Sequence, residues 1–314
     1  MSERTASVLE PDTAADLTGG QMLTYVAAVL FWGYFVVRWL YEWYVADLLG
    51  MSPSAPFAPV GAFEALAGQY AGTPVGGFCS FLAVAASSMP AAASGAWLTV
   101  VLTVVSILLG LVIAVPLSVA RVYGGRVVSG VALAYTELLR GTPLLAQLFV
   151  LYFGLSLSAT IRGLPFVGGG FIPGQAVIVA LIGFTINSAA YQAEYIRSAL
   201  LSVQEGQLTA GRAIGLSQLD TIRYVVLPQG LRYAIPGWSN ELVYLIKYSS
   251  LAAFITVPEL YYRTQAIASN NFRYFELLVL AALVYLGMVL TASALMSAFE
   301  RVVSIPGLGQ TNRR

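Results

Sequence analysis

Apolar residues in this chain are gathered into long uninterrupted runs, and the polar residues collect between them. A helix rises ~1.5 Å per residue and the hydrocarbon layer of a bilayer is ~30 Å thick, so roughly 20 mostly apolar residues make one crossing. Six runs meet that length: residues 23–41, 96–120, 135–157, 174–196, 235–257 and 276–299. Residues 78–93 are also apolar, but the stretch is short, rich in Ala and Ser and interrupted by Pro90, which predicts a surface or re-entrant segment. The pattern predicts an all-α membrane protein with about six transmembrane helices.

One polar interruption has an internal design. In residues 205–230, Leu208 to Ile214 can form a short helix that Gly215 ends, because glycine enters the left-handed cap conformation without steric cost. A second helix then starts at Ser217, whose hydroxyl is a suitable N-cap with Asp220 three residues on. Leu219, Ile222, Val225 and Val226 fall on one stripe of it, and Pro228 is expected to stop it. Helices this short are unstable alone, so the pair must lie against the membrane helices, a partner protein, or both.

Charge sets the orientation. Cationic loops stay on the cytoplasmic side. With the N-terminus inside, the inner segments hold Arg4, Arg121, Arg126, Arg140, Arg197, Arg212, Arg223, Arg232, Arg301, Arg313 and Arg314, and the outer ones Arg162, Arg263 and Arg273. Both termini are then cytoplasmic, as tails at 1–22 and 301–314, and the polar interruption faces inward. Residues 42–95 contain no Lys or Arg, and their Pro- and Gly-rich stretches predict external loop material.

Composition narrows the function. The chain is 58% hydrophobic and 10% charged, with 16 Lys+Arg against 15 Asp+Glu, so no basic excess is available to track nucleic acid. It has no histidine and a single cysteine, Cys79, which argues against an internal disulfide, the usual zinc and iron sites and histidine-based catalysis. No phosphate-binding G-x-x-x-x-G-K-[ST] occurs, and Gly168–Gly170 reads as a turn. Enzymatic chemistry and a cofactor held by this chain are not expected.

The polar interruption resembles the cytoplasmic loop of the membrane permeases of binding-protein-dependent ABC importers. Thr209, Ala210, Gly211, Gly215, Leu227 and Pro228 occupy positions of that loop, with Thr209 standing where relatives carry Glu. Three further segments are similar to the polar amino-acid branch of that family: "YTELLRGTPLLAQLFVLYFGL", "AAYQAEYIRSALLSVQEGQ" and "LPQGLRYAIPGWSNELVYLIKYSSL". The last departs from the branch's Lys-Asp-Thr-Ser by reading Lys247, Tyr248, Ser249, Ser250. The resemblance covers residues 96–300 as a five-helix core and leaves the helix at 23–41 and the segment 42–95 as additions.

It implies that the loop, residues 198–230 with Gly206 included, couples to a separate ATPase pair that hydrolyses ATP with Mg. It also implies a second permease copy or a sister permease, an external solute-binding protein, and a polar amino acid as cargo. An ion-gradient-driven carrier is the alternative, although neither an inverted repeat nor an acidic cluster is legible.

A lysine inside a bilayer costs at least ~2.5 kcal/mol unless it has a partner or a wet cavity. Lys247 therefore attracts attention, with Glu194 as its candidate partner across the bundle and Glu241 poorly placed on the same helix. Either Lys247 sits in a structural ion pair or snorkels, or it lines a route for solute together with Glu194, Asn240, Ser249 and Ser250. Glu137 and Arg140 read as an inner-surface ion pair or a solvated helix end. Trp43, Tyr261 and Tyr262 suit an interfacial aromatic belt.

Overall fold

The computed structural model describes residues 19–169 and 172–303; the tails called at 1–22 and 301–314 fall largely outside them. The described residues form thirteen α-helices joined by short π and 3-10 turns, with no strand among them. They are α1 (Gly19–Leu40), α2 (Ala46–Leu49), α3 (Val60–Gln69), α4 (Pro74–Tyr123), α5 (Arg126–Arg140), α6 (Leu144–Phe149) and α7 (Leu157–Arg162). There follow α8 (Gln175–Ser202), α9 (Glu205–Ala213), α10 (Gln218–Thr221), α11 (Leu227–Tyr248), α12 (Leu260–Asn271) and α13 (Tyr274–Val303).

Among the described residues, four helical stretches are long and apolar enough to cross a membrane: Met22–Leu49, Pro74–Tyr123, Gln175–Ser202 and Tyr274–Val303. The other two expected crossings are interrupted. The run at 135–157 divides into amphipathic α5, a break at Gly141–Pro143, and a short apolar helix Leu144–Gly154. The run at 235–257 is the second half of α11 followed by a 3-10 turn, Ser249–Ile255. In both cases hydropathy reads length correctly and continuity wrongly, because it does not register where the backbone changes its hydrogen-bond step.

The largest correction concerns residues 42–95, expected as external loop material with a surface or re-entrant stretch at 78–93. They contain α3, and from Pro74 they are the first part of the 50-residue α4. Thr73 caps that helix, its hydroxyl accepting from the Gly76 amide at 3.2 Å, and Pro74 sits in the first turn, where a missing amide hydrogen costs nothing. Pro90 lies inside the helix and is buried, as the neighbouring helices of a membrane bundle permit.

Small residues let the helices approach closely, as expected where lipid supplies no hydrophobic drive between them. A Cβ on Gly95 would stand 2.7 Å from the Leu260 Cα, and one on Gly110 would stand 2.7 Å from Gln192 Nε2. Gln192, 1% exposed, is a polar hub: its Nε2 donates to Ile107 O and Ser188 Oγ, and its Oε1 accepts from Trp238 Nε1 at 2.8 Å. It ties α4, α8 and α11 together.

The additional helix α1 is docked rather than loose. Trp39 Nε1 donates to Ala93 O at 2.8 Å and Trp32 Nε1 to Thr291 Oγ1 at 2.9 Å. Trp43, expected in an aromatic belt, packs edge-on against Trp97 at 4.9 Å between ring centres. Arg38, 1% exposed, donates to Ala55 O at 2.6 Å and to Pro53 O, and lies over the rings of Tyr41 and Phe57. A charge inside an expected span is thus consumed in pinning the loop that follows it. On the same stretch of α4, which Trp39 meets at Ala93 and Leu260 at Thr99, the buried Glu259 caps α12, accepting from the amides of Tyr261 and Tyr262 at 3.0 and 2.8 Å.

Candidate functional site: the coupling helices and the polar seam of the bundle

The pair α9 and α10 forms where the sequence places it, with altered ends. α9 runs Glu205–Ala213 and Gly215 follows with φ +91, the left-handed conformation its position predicts. Ser217 caps α10: its hydroxyl accepts from the Asp220 amide at 3.1 Å and donates to Asp220 Oδ2 at 2.5 Å.

Gly211 is required by packing. A Cβ there would fall 2.4 Å from Thr221 Cγ2, so the two helices touch through this glycine. Thr221 is itself held, its hydroxyl donating to Ser217 O at 2.8 Å. Thr209, Ala210 and Gly206 are exposed on α9, with open space at Gly206.

Pro228 does not stop the second helix. The chain stays helical from Gln218 to Tyr248, because a π turn, Ile222–Val226, widens the step just ahead of the proline. Gln229 Nε2 donates to Val225 O at 2.9 Å, satisfying a carbonyl in that irregular turn. The widened turn also rotates the stripe: Ile222 and Val226 are buried, whereas Leu219 is 75% exposed. With Ile214 and Tyr224, also exposed, it gives the pair an apolar outer surface.

The carboxylate expected opposite Lys247 is committed elsewhere. Glu194 Oε1 accepts from Arg197 Nε at 2.9 Å, while Oε2 lies 3.4 Å from Arg121 Nη1 and 3.7 Å from Arg140 Nη1. Arg140 also reaches Glu137, at 3.5 Å, so the ion pair read from the sequence exists as one edge of a five-residue network across α4, α5 and α8. Arg121 Nη1 donates to Thr136 Oγ1 at 2.7 Å, tightening α4 onto α5.

The break after α5 is clasped by side chains. Gln147 Nε2 donates to Leu139 O, Thr142 O and Thr142 Oγ1 at 2.7, 3.1 and 2.8 Å, and its Oε1 accepts from Asn187 Nδ2 at 3.0 Å. Tyr191 OH donates to Arg140 O at 3.5 Å. Carbonyls freed where the helix stops are therefore received inside the protein, as the apolar surroundings demand. The sequence offered one signal for this clasp, a glutamine set in an apolar run directly after Gly-Thr-Pro, and it went unread.

Of the residues expected along a solute route, Asn240 and Lys247 share a face of α11 with Tyr244, at the i, i+4, i+7 spacing, and all three are exposed in the single chain. Lys247 Nζ stands 4.8 Å from the Tyr244 ring centre. Asn240 also borders a cavity of about 300 Å³ between α11 and α13, where Ser239 Oγ donates to Glu300 Oε1 at 2.7 Å. Ser249 and Ser250 turn back to backbone, donating to Ile246 O and Lys247 O. Glu241, discounted in the sequence as a partner for Lys247, is 4% exposed and within reach of Ser188. Among the described residues no cluster of three or more His, Cys, Asp or Glu is arranged to hold a metal ion.

A helical bundle with a protruding helix pair, whose glycines and proline fall at fixed offsets, matches one family over residues 106–305: binding-protein-dependent transport system inner membrane component. The chain belongs to that family. Among curated proteins it is 39% identical over 218 residues to the probable amino-acid ABC transporter permease YckA of Bacillus subtilis, covering 69% of this chain and 91% of that one. It is 36% identical over 219 residues to the glutamine transport system permease GlnP of Escherichia coli, covering 69% and 95%.

Among solved structures, a chain from an amino acid ABC transporter with histidines superposes with a TM-score of 0.59 at 32% identity, covering 68% of this chain and 94% of that one. The inward-facing MetNI methionine ABC transporter, at 20% identity and a TM-score of 0.57, shares the fold. This protein is thus an all-helical, multi-pass permease of the ABC class, and the ion-gradient carrier finds no support.

Proposed function

We propose that this permease is the transmembrane subunit of an ATP-driven importer of polar amino acids. It takes solute from an external binding protein and is driven through α9 and α10 by a separate ATPase pair, where ATP and Mg act. The observation that carries the reading is the glycine-locked helix pair: a rigid projection with Ile214, Leu219 and Tyr224 bare on its surface has the features a docking element needs. Closure of two bound ATPase subunits would move two such projections together and pass the displacement to the spans. On this reading Gly206, Thr209, Ala210, Gly211, Gly215, Leu227 and Pro228 belong to the coupling surface, and both termini are cytoplasmic.

The exposed face of α11 supports assembly with a second copy or a sister permease around a central pathway. A lysine turned toward lipid costs at least ~2.5 kcal/mol, so Asn240, Tyr244 and Lys247 need a wet cavity or a second chain opposite them. Lys247 would attract the carboxylate of a zwitterionic solute.

The test is reconstitution in proteoliposomes with the ATPase and the binding protein. Uptake should require ATP and both partners and persist when ion gradients are collapsed by ionophores. Lys247→Met should lower uptake while leaving assembly intact. Uptake without the ATPase would overturn the proposal.

A further inference from the structure

On α8, Asn187, Tyr191 and Glu194 stand at i, i+4 and i+7, which puts them on one face of the helix. That face meets the end of α5 at three successive heights: Asn187 on Gln147 and Leu139 O, Tyr191 on Arg140 O, and Glu194 on the Arg140 guanidinium. Tyr135 OH adds a bond in the other direction, donating to Ile186 O at 2.7 Å. At its own C-terminal end, α8 is separated from α9 only by Val203 and Gln204. One uninterrupted helix therefore links the exposed pair to the break at Gly141–Pro143.

The link transmits force only if α8 cannot slide past its neighbours, and the contacts differ in how well they prevent this. The uncharged bonds from Asn187 and Tyr191 to the α5 carbonyls are long, at 3.4–3.5 Å, and only those of Asn187 to Gln147 and of Tyr135 to Ile186 are short, at 3.0 and 2.7 Å. Glu194 is the point where charge acts: a single carboxylate held by an arginine of its own helix and facing one arginine from α4 and one from α5. Its side chain is 17% exposed, so these attractions are only partly screened.

We propose that Glu194 is a positioning residue that binds the inner ends of α4, α5 and α8 into one block, so that a displacement of α9 arrives at the Gly141–Pro143 break instead of being lost as slippage of α8. The inference rests on the proposed coupling role of α9 and deepens it by naming the relay. It assigns Glu194 no contact with solute.

The experiment uses the full permease reconstituted with its ATPase and binding protein, with uptake and ATP hydrolysis measured in the same vesicles. Glu194→Gln retains hydrogen bonding to Arg197 and removes the charge that faces Arg121 and Arg140. Solute moved per ATP is expected to fall at least threefold, with assembled complex and ATP hydrolysis maintained, and Glu194→Asp should recover part of the ratio. Should the Gln variant fail to assemble, Arg140→Gln, which leaves Glu194 paired with Arg197 and Arg121, is read in the same way.

An unchanged ratio, or uptake and hydrolysis falling in proportion, would overturn the relay. If the unmodified complex itself shows no ATP-dependent uptake, it is the coupling reading that fails, and the two failures are told apart by that control.

Discussion

Replacing Gly211 with Ala adds one methyl group at the contact that holds α9 on α10. Its carbon would lie 2.4 Å from Thr221 Cγ2 and 2.9 Å from Thr221 Oγ1, about 1 Å short of ordinary contact at the closer atom. Thr221 has little room to yield, since it is buried and its hydroxyl is bonded to Ser217 O. Overpacking of this kind costs about 1–3 kcal/mol, and the better helix propensity of Ala returns roughly 1 kcal/mol of it. The remainder should appear as separation of the two helices, not as unfolding of the bundle, because α9 and α10 contribute only the partly buried Leu208 to its apolar core.

Binding-protein-stimulated ATP hydrolysis by the reconstituted complex should therefore fall in Gly211→Ala while the bundle's thermal midpoint stays nearly constant. Thr221→Ser removes the nearest clashing atom and keeps the hydroxyl, so the double variant should recover most of the stimulation, with a coupling energy of at least about 0.5 kcal/mol. If Gly211→Ala stimulates normally, or if Thr221→Ser brings no recovery, the helix pair is not held together by this contact.

Gly215→Val forces a branched side chain into a left-handed backbone and should cost about 1–2 kcal/mol, whereas Gly215→Asn should cost less. Pull-down of the ATPase by each variant checks the ordering. Gln147→Leu keeps volume but strips the carbonyl at Thr142 of its side-chain donor and leaves that at Leu139 only the 3.4 Å bond from Asn187; a loss of about 1–3 kcal/mol is expected in thermal unfolding monitored by tryptophan fluorescence. No change in the midpoint would mean that the break is held by packing alone.

How much was legible in the sequence depended on the kind of signal. Runs of apolar residues are a bulk property, so the spans at 23–41, 174–196 and 276–299 reappear in α1, α8 and α13 with small shifts. Cap chemistry is local, so Ser217 and Gly215 were readable one residue at a time. What escaped was set by tertiary partners. Pro90 and Pro228 read as breakers because a proline's missing donor is a fact of sequence, while the neighbours and the π turn that absorb it are facts of packing.

Glu194 and Lys247 pair on paper because both are charges in apolar runs; Arg197, three positions on, is a legible rival for the carboxylate, but nothing in the order of residues tells that Arg121, 73 positions away, also reaches it. Gln147 passed unnoticed because a polar residue gains meaning only beside the carbonyls it satisfies.

The length of α4 has a mechanical corollary. Fifty helical residues make α4 a rod about 75 Å long, more than twice the ~30 Å depth of the hydrocarbon layer. Its last turn bears Arg121, and its first turns meet α3 and, through Ser80, Arg273. If the rod pivots near its middle by about 5°, each tip swings by about 3 Å, the order of a helix shift at a subunit interface. A body landing on the far tip thus holds a long handle on the arginine at the other end.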